Sequence, residues 1–360
     1  MANIGYAMNE ESPKPHKRRA RYTGTHPRKF AEKYKELDPS QYAGDIEHII
    51  AKGQTPAGTH RPICVEEILS ILDPKPGEVC LDATLGYGGH SEKILPRLGP
   101  GGRLFAVDVD PIELPKAEAR LRALGFGADV FIIRKMNFAG IIGLLPEAGG
   151  GFDCVLADLG VSSMQLDNPE RGFTYKADGP LDLRLNPGRG KPASEMLRTI
   201  SAEALEKMLF DYGDEPHAKD IAKAIKTSRV PVVTTARLAD TIREGLKKLH
   251  SKISDSIINK SLQRTFMALR IGVNEELSVL DRFLELLPWC LKPGGRIAIL
   301  SFHSGEDRRV KKAFARGEET GLYSKIAPTP VRPSPAERRG NSRSSCAKLR
   351  WAVRSDKPAQ

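Results

Sequence analysis

The run Val79-Cys-Leu-Asp-Ala-Thr-Leu-Gly-Tyr-Gly-Gly-His90 joins a short apolar segment to an acid and a cluster of glycines. A buried strand that ends this way is suited to bringing backbone up to a ligand, because Gly86, Gly88 and Gly89 place no Cβ in the path. Asp108 closes the next apolar run, 22 positions after Gly86. A carboxylate at about that separation can accept both hydroxyls of a ribose. Turn, strand and acid together leave two ligand classes, a dinucleotide or S-adenosylmethionine. The turn is not G-x-G-x-x-G, and His90 stands where a dinucleotide turn wants a small residue. A pyrophosphate also favours an uncluttered helix start, whereas S-adenosylmethionine has no phosphate to seat. The balance favours the methyl donor.

A second acid, Asp158, ends the run that begins at Phe152 and leads into Leu-Gly-Val-Ser-Ser163. In a parallel sheet this end lies beside the first glycine turn. Asp158 could touch the cofactor there, or accept hydrogen bonds from an exocyclic amine. Such an amine is a poor nucleophile because its lone pair is delocalised into the ring. Acceptors aimed at its N–H groups favour the pyramidal nitrogen that attacks. The plainer alternative is an aspartate that caps its own turn. His303, at the end of Ile299-Leu-Ser-Phe-His, is a candidate base or base-stacking group, or equally a structural histidine.

These residues need a scaffold, and the apolar pattern supplies one. Strands are expected over 78–84, 103–108, 129–134 and 152–158, after a helix over 65–72. Helical stretches over 91–98, 112–124 and 138–145 lie between them. Such alternation predicts an α/β fold, a Rossmann-like sheet whose ligand sits at the carboxyl ends of the strands. From 169 to 262 the strand pattern stops, and amphipathic helices over 193–210, 219–226 and 235–249 predict an inserted all-helical subdomain. The α/β pattern returns with a helix over 274–287, a turn at 292–295, a strand over 296–302 and a hairpin of 323–328 with 348–353. The expected organisation is a basic extension over 1–55, a first core part over 56–168, the helical insertion over 169–262, and a second core part over 263–360.

The 360 residues carry a formal charge of +11, concentrated near the two ends. Between 14 and 35 there are nine Lys/Arg against one Glu, and between 331 and 354 seven against one. Concentrated positive charge points to a polyanion, most often nucleic acid; a solvated basic tail is the alternative. No apolar run approaches the roughly 18 residues a membrane span requires. The N-terminus is polar and then basic with no leader-like apolar stretch, so a cytoplasmic protein without a membrane partner is expected. The cysteines Cys64, Cys80, Cys154, Cys290 and Cys346 are scattered and read as reduced thiols, with no metal expected.

Several motifs carry a closer resemblance. His60-x-Pro, Asp82-Ala-Thr-Leu-Gly-Tyr-Gly-Gly-His-Ser91, Asp158-Leu-Gly-Val-Ser-Ser-x-Gln-Leu-Asp167 and Glu170-Arg-Gly-Phe173 resemble the bacterial 16S ribosomal RNA cytosine-N4 methyltransferases, the RsmH or MraW family. So do Asp178-Gly-Pro-Leu-Asp-Leu-Arg184, Tyr212-Gly-Asp-Glu215, Arg264-Thr-Phe-x-Ala-Leu-Arg-Ile271, Val273-Asn-Glu-Glu-Leu277 and Ser301-Phe-His-Ser-x-Glu-Asp307. The match runs in order from about 59 to 354. It implies an S-adenosylmethionine-dependent transfer to the exocyclic N4 of a cytidine in the decoding centre of small-subunit rRNA. By motif position it implies cofactor contacts at Gly88, Gly89, His90, Asp108, Phe138, Asp158 and Gln165, with Asp158 also catalytic. A homodimer stays open, as do another acceptor for the same fold and a non-catalytic assembly factor. Two segments depart from the family: Pro216-His217 follows Glu215, and Gly340-Asn-Ser-Arg-Ser-Ser345 replaces the usual Asn-Pro-Arg-x-Arg-Ser.

Overall fold

The computed structural model describes residues 62–356, so the basic extension over 1–55 and His60 lie outside the described residues. Four strands, β1 (Val79–Asp82), β2 (Arg103–Asp108), β3 (Phe131–Lys135) and β4 (Phe152–Asp158), pair in parallel. With β5 (Leu291–Ser301), β6 (Tyr323–Ile326) and β7 (Lys348–Arg354) they form one seven-stranded sheet in the order β3-β2-β1-β4-β5-β7-β6. Strand β5 is parallel to β4, whereas β7 runs antiparallel between β5 and β6.

The strands read as continuous apolar runs because both faces are covered. Leu81, Phe105, Val155 and Ile297 pack on one face against Phe283, Leu287 and Phe314. Cys80, Leu104, Leu156 and Ala298 pack on the other against Ile68, Leu72 and Leu121. Burying each large side chain contributes about 1.5–3 kcal/mol, so the two layers hold the strand ends firmly in register.

The helices of the core are α1 (Val65–Leu72), α2 (Gly89–Ile94), α3 (Leu114–Ala123) and the short α4 (Leu145–Ala148). Between β4 and β5 the α-helices are α5 (Ser163–Asp167), α6 (Ala193–Thr199), α7 (Ala202–Gly213), α8 (Ala218–Lys226), α9 (Thr235–Leu249), α10 (Asp255–Asn274) and α11 (Glu276–Cys290), with a non-helical stretch before α6 that makes one isolated bridge, Pro180 with Thr234. Leu205, Leu209, Ile221, Ile225, Leu238, Ile242, Leu262 and Phe266 share a separate apolar cluster there. After β5 come α12 (Ser304–Glu319) and α13 (Pro335–Gly340). Among the described residues no helix is long and apolar enough to cross a membrane.

Some local expectations change. The helix expected over 193–210 is two helices, because the Ser201 hydroxyl accepts the Ala204 N–H and starts a new one. Helix α10, 20 residues long, has no counterpart among the expected helices and runs through residue 262. The turn at 292–295 is a bulge inside β5: Phe152 pairs with Leu291 and Cys154 with Arg296, with Gly294 at φ 72°. Helix α2 begins at Gly89, two residues early, and the stretch over 138–144 is a 3-10 helix.

Candidate active site

The site begins where β1 stops. The Asp82 carboxylate accepts the Thr84 N–H at 3.1 Å on Oδ1 and the Ser91 hydroxyl at 2.6 Å on Oδ2. These bonds clamp the strand end to the first turn of α2, and the residues between them become the glycine turn. Gly86 and Gly88 sit at φ 51° and 81°. A Cβ on Gly88 would lie 2.8 Å from Leu121 Cδ1, and one on Gly89 would run into Pro62 Cγ. Packing requires bare backbone at both, and at Gly88 the left-handed conformation requires it as well.

Asp108 closes β2 facing this turn. Its Oδ2 accepts the Gly86 N–H at 2.8 Å and its Oδ1 accepts the Asp110 N–H at 2.9 Å. Burial pushes its carboxyl up to about 6; the two amides oppose that shift, and the neighbouring Asp110 and Asp82 add to it. A carboxylate has about four lone-pair sites, so two remain for hydroxyl donors.

Asp158 closes β4, on the far side of β1 from β2. Its N–H donates to Thr84 Oγ1 at 2.6 Å, which ties the ends of β4 and β1 together. Its Oδ2 lies 3.5 Å from His90 Nε2. His90 Nε2 and Asp158 Oδ1 are both buried without a hydrogen-bond partner among the described residues. Leaving a buried polar atom unpaired costs about 1–3 kcal/mol, so two together, at the start of α2 and the end of β4, mark a place where a polar ligand belongs.

A cleft of about 1020 Å³ opens over these strand ends, and Gly86, Gly89, His90, Asp108, Phe138, Asp158 and Gln165 all line it. Gly88 immediately precedes α2, faces Leu121, and is not part of the lining. Phe138 serves two roles, since it lines the cleft and packs edge-on against Phe283 with ring centroids 5.1 Å apart. Gln165 is locked by protein bonds: its Oε1 accepts the Ser162 N–H at 2.8 Å and its Nε2 donates to Asp110 Oδ2 at 2.6 Å. The opposite wall brings Asn186, Arg189, Arg270, Asn274 and Glu276, with Arg343 from the C-terminal segment.

His303 does not line the cleft. It caps α12, with Nε2 3.3 Å from Glu306 Oε1. The Glu306 carboxylate is buried, which would raise its pKa, but His303, the Phe302 N–H and the charge of Arg270 hold it below the usual range. Of the alternatives open for His303, the structural one is the better.

Two residues that sequence reasoning passed over organise the site. Asp110 is fully buried; its Oδ1 accepts the Ile112 and Glu113 N–H groups, and its Oδ2 accepts from Gln165 and from Arg171 Nη1 at 2.8 Å. Arg171 in turn donates to the Arg184 and Leu185 carbonyls, which lead into Asn186 on the far wall. Only the Arg-Gly-Phe match around Arg171 offered a sequence signal.

A parallel sheet with an antiparallel strand inserted at one end, and a cleft over the carboxyl ends of β1, β2 and β4, defines a Rossmann-like methyltransferase fold. The family model described as the MraW methylase family matches residues 57–355, and the chain belongs to that family. It is 52% identical over 354 residues to Ribosomal RNA small subunit methyltransferase H 1 of Agathobacter rectalis, covering 97% of this chain and 100% of that one. It is likewise 52% identical to Ribosomal RNA small subunit methyltransferase H 2 of Alkaliphilus metalliredigens, over 94% of this chain and 97% of that one. Identity to Ribosomal RNA small subunit methyltransferase H of Halorhodospira halophila is 39%, over 85% and 97%.

Proposed function

We propose that this protein transfers a methyl group from S-adenosylmethionine to the exocyclic N4 of a cytidine in the decoding centre of 16S rRNA, with the small ribosomal subunit as its partner in the cytoplasm. The observation that carries the reading is the unpaired His90 Nε2 and Asp158 Oδ1 beside the Gly86 turn and Asp108. The choice of rRNA rests on the names of the relatives and on the basic segments.

The residues fit the donor. S-adenosylmethionine, when bound, supplies a methyl carbon activated by its sulfonium. Asp108 has acceptor sites left for two ribose hydroxyls, Gly86 and Gly89 bring backbone close, and Phe138 offers an apolar face to a base. Gln165 positions the start of α5 through Asp110. Asp158 Oδ1 accepts an N–H of the target amine and so favours the nitrogen lone pair that attacks. As the nitrogen gains the methyl, one of its protons leaves, to Asp158 or to water. The region over 169–262 acts as a helical subdomain that closes the cleft and presents Asn186 and Arg189 to the acceptor. A cytosine must be unpaired or flipped to enter.

The test is transfer from labelled S-adenosylmethionine to small subunits that lack the native modification, followed by nucleoside analysis. Label in N4-methylated cytidine at one decoding-centre position, lost with Asp158→Ala, is the expected result. Label in another nucleoside would discard the acceptor, and unchanged turnover by Asp158→Ala would discard the role of Asp158.

A further inference from the structure

His217, where the chain departs from its family's pattern, meets two other donor side chains once the helices fold. His217 immediately precedes α8, Asp220 lies in the first turn of α8, and His250 immediately follows α9. His250 Nε2 is 2.8 Å from Asp220 Oδ2, and the rings of His217 and His250 are 5.0 Å apart. One donor atom from each of the three lies within 4.8 Å of the other two. None of the three lines the cleft.

We propose that His217, Asp220 and His250 form a divalent transition-metal site, of the type that takes Zn²⁺, which fastens the start of α8 to the end of α9. Two imidazoles and a carboxylate are a recurring three-ligand set for Zn²⁺, with water in the fourth position. Tetrahedral donors about 2.0–2.1 Å from an ion are roughly 3.3 Å from one another, so small side-chain rotations complete the geometry.

The backbone under the site is already fixed. His217 donates its N–H to Glu215 Oε1 at 2.9 Å, and its carbonyl accepts the Ile221 N–H at 3.0 Å. His250 donates its N–H to the Leu246 carbonyl at 2.9 Å. The two helices meet so closely that a Cβ on Gly245 would stand 2.5 Å from Ala224 Cβ. The carboxyl end of α9 attracts a cation, whereas the amino end of α8 opposes one and suits the Asp220 carboxylate, so the three ligands rather than the helix ends would hold the ion.

Three other donor groups exist among the described residues, and each is spoken for differently. Arg296 binds both Glu78 and Cys154, and Arg270 binds Glu276 with two bonds. In the third, burial pushes the Cys64 thiol up to about 12, which keeps it protonated. Only the group on α8 and α9 offers two imidazoles, and its carboxylate is paired with one of them, His250.

The test uses the full chain, stripped with a chelator and titrated with Zn²⁺ by calorimetry and with Co²⁺ by absorption. One ion per chain is expected, with a thermal midpoint that rises on addition of Zn²⁺. His217→Ala and His250→Ala should each weaken binding tenfold or more and abolish the rise. Asp220→Asn, nearly isosteric, should do the same without any packing change. Methyl transfer by all three variants should match the unaltered protein. Absence of binding, or titration by the His217→Ala/His250→Ala double variant equal to that of the unaltered protein, overturns the proposal.

Discussion

Arg171 Nη1 donates to Asp110 Oδ2 at 2.8 Å, and the two side chains are 5% and 0% exposed. The pair joins the loop after β2, which carries Asp108, to the turn that opens the helical region. Asp110 uses both oxygens twice, so nothing in the loop can move without breaking a bond.

Removing the cation should therefore hurt more than the bond alone suggests. Arg171→Met leaves Asp110 as a buried, uncompensated charge, and breaking such a pair costs about 3–5 kcal/mol. Urea unfolding should show a midpoint lowered accordingly, and donor affinity should fall because Asp108 and Gln165 lose their shared anchor. An unchanged midpoint would mean that water replaces the guanidinium.

The glycine turn separates two causes that are often merged. At Gly88 a methyl collides with Leu121 and the backbone is left-handed, whereas at Gly86 the only atom near an added Cβ is Thr84 O at 3.9 Å. Gly86→Ala should cost about 1–2 kcal/mol of conformational strain. Gly88→Ala adds overpacking of about 1–3 kcal/mol to a similar strain. Thermal unfolding of both variants checks the order, and the difference between them vanishes if Leu121 yields freely.

The turn, the acids and the sheet could be read from sequence because each leaves a local mark. Fully buried parallel strands appear as unbroken apolar runs, and an acid at the end of one stands out. Helix α10 left no such mark: its buried face carries Ser261 and Thr265 among Ile258, Leu262, Phe266 and Leu269, which blurs the apolar stripe. Ser201 is of a residue type that starts helices, yet it lies inside the apolar period that runs through 193–210. Asp110 and Arg171 are 61 residues apart, and a pairing at that range has no signature in one sequence.

Asp108 should make donor binding depend on pH. Its carboxyl lies near 6 in the folded protein against an ordinary value of 3.8, and burial is the main cause. The sign follows from the raised value: ionised Asp108 opposes folding, an effect absent below the unfolded pKa and complete above about 6. Ribose hydroxyls prefer the ionised form, so donor affinity should fall as pH drops through about 6, by up to about tenfold per unit. Calorimetric titration between pH 5 and 8 measures it. In Asp108→Asn affinity should be lower by about 1.5–3 kcal/mol above about pH 7, with this dependence gone, so that the gap narrows as pH falls below about 6.

The residues over 1–55 lie outside the described structure but not outside the electrostatics. Nine Lys/Arg against one Glu between 14 and 35 can neutralise several phosphates, and each neutralised phosphate releases condensed counterions. Deletion of 1–55 should weaken binding to small subunits most at low salt. It should also flatten the slope of log affinity against log salt, by about 0.7–0.9 for each phosphate no longer neutralised. Donor affinity should stay unchanged, because every expected donor-binding residue falls at Gly86 or beyond. Filter binding at several salt concentrations, beside donor titration of the truncated chain, separates the two effects. Equal subunit affinity for both chains at low salt would leave RNA binding to the cleft and to the basic stretch over 331–354, where Arg343 already lines the wall.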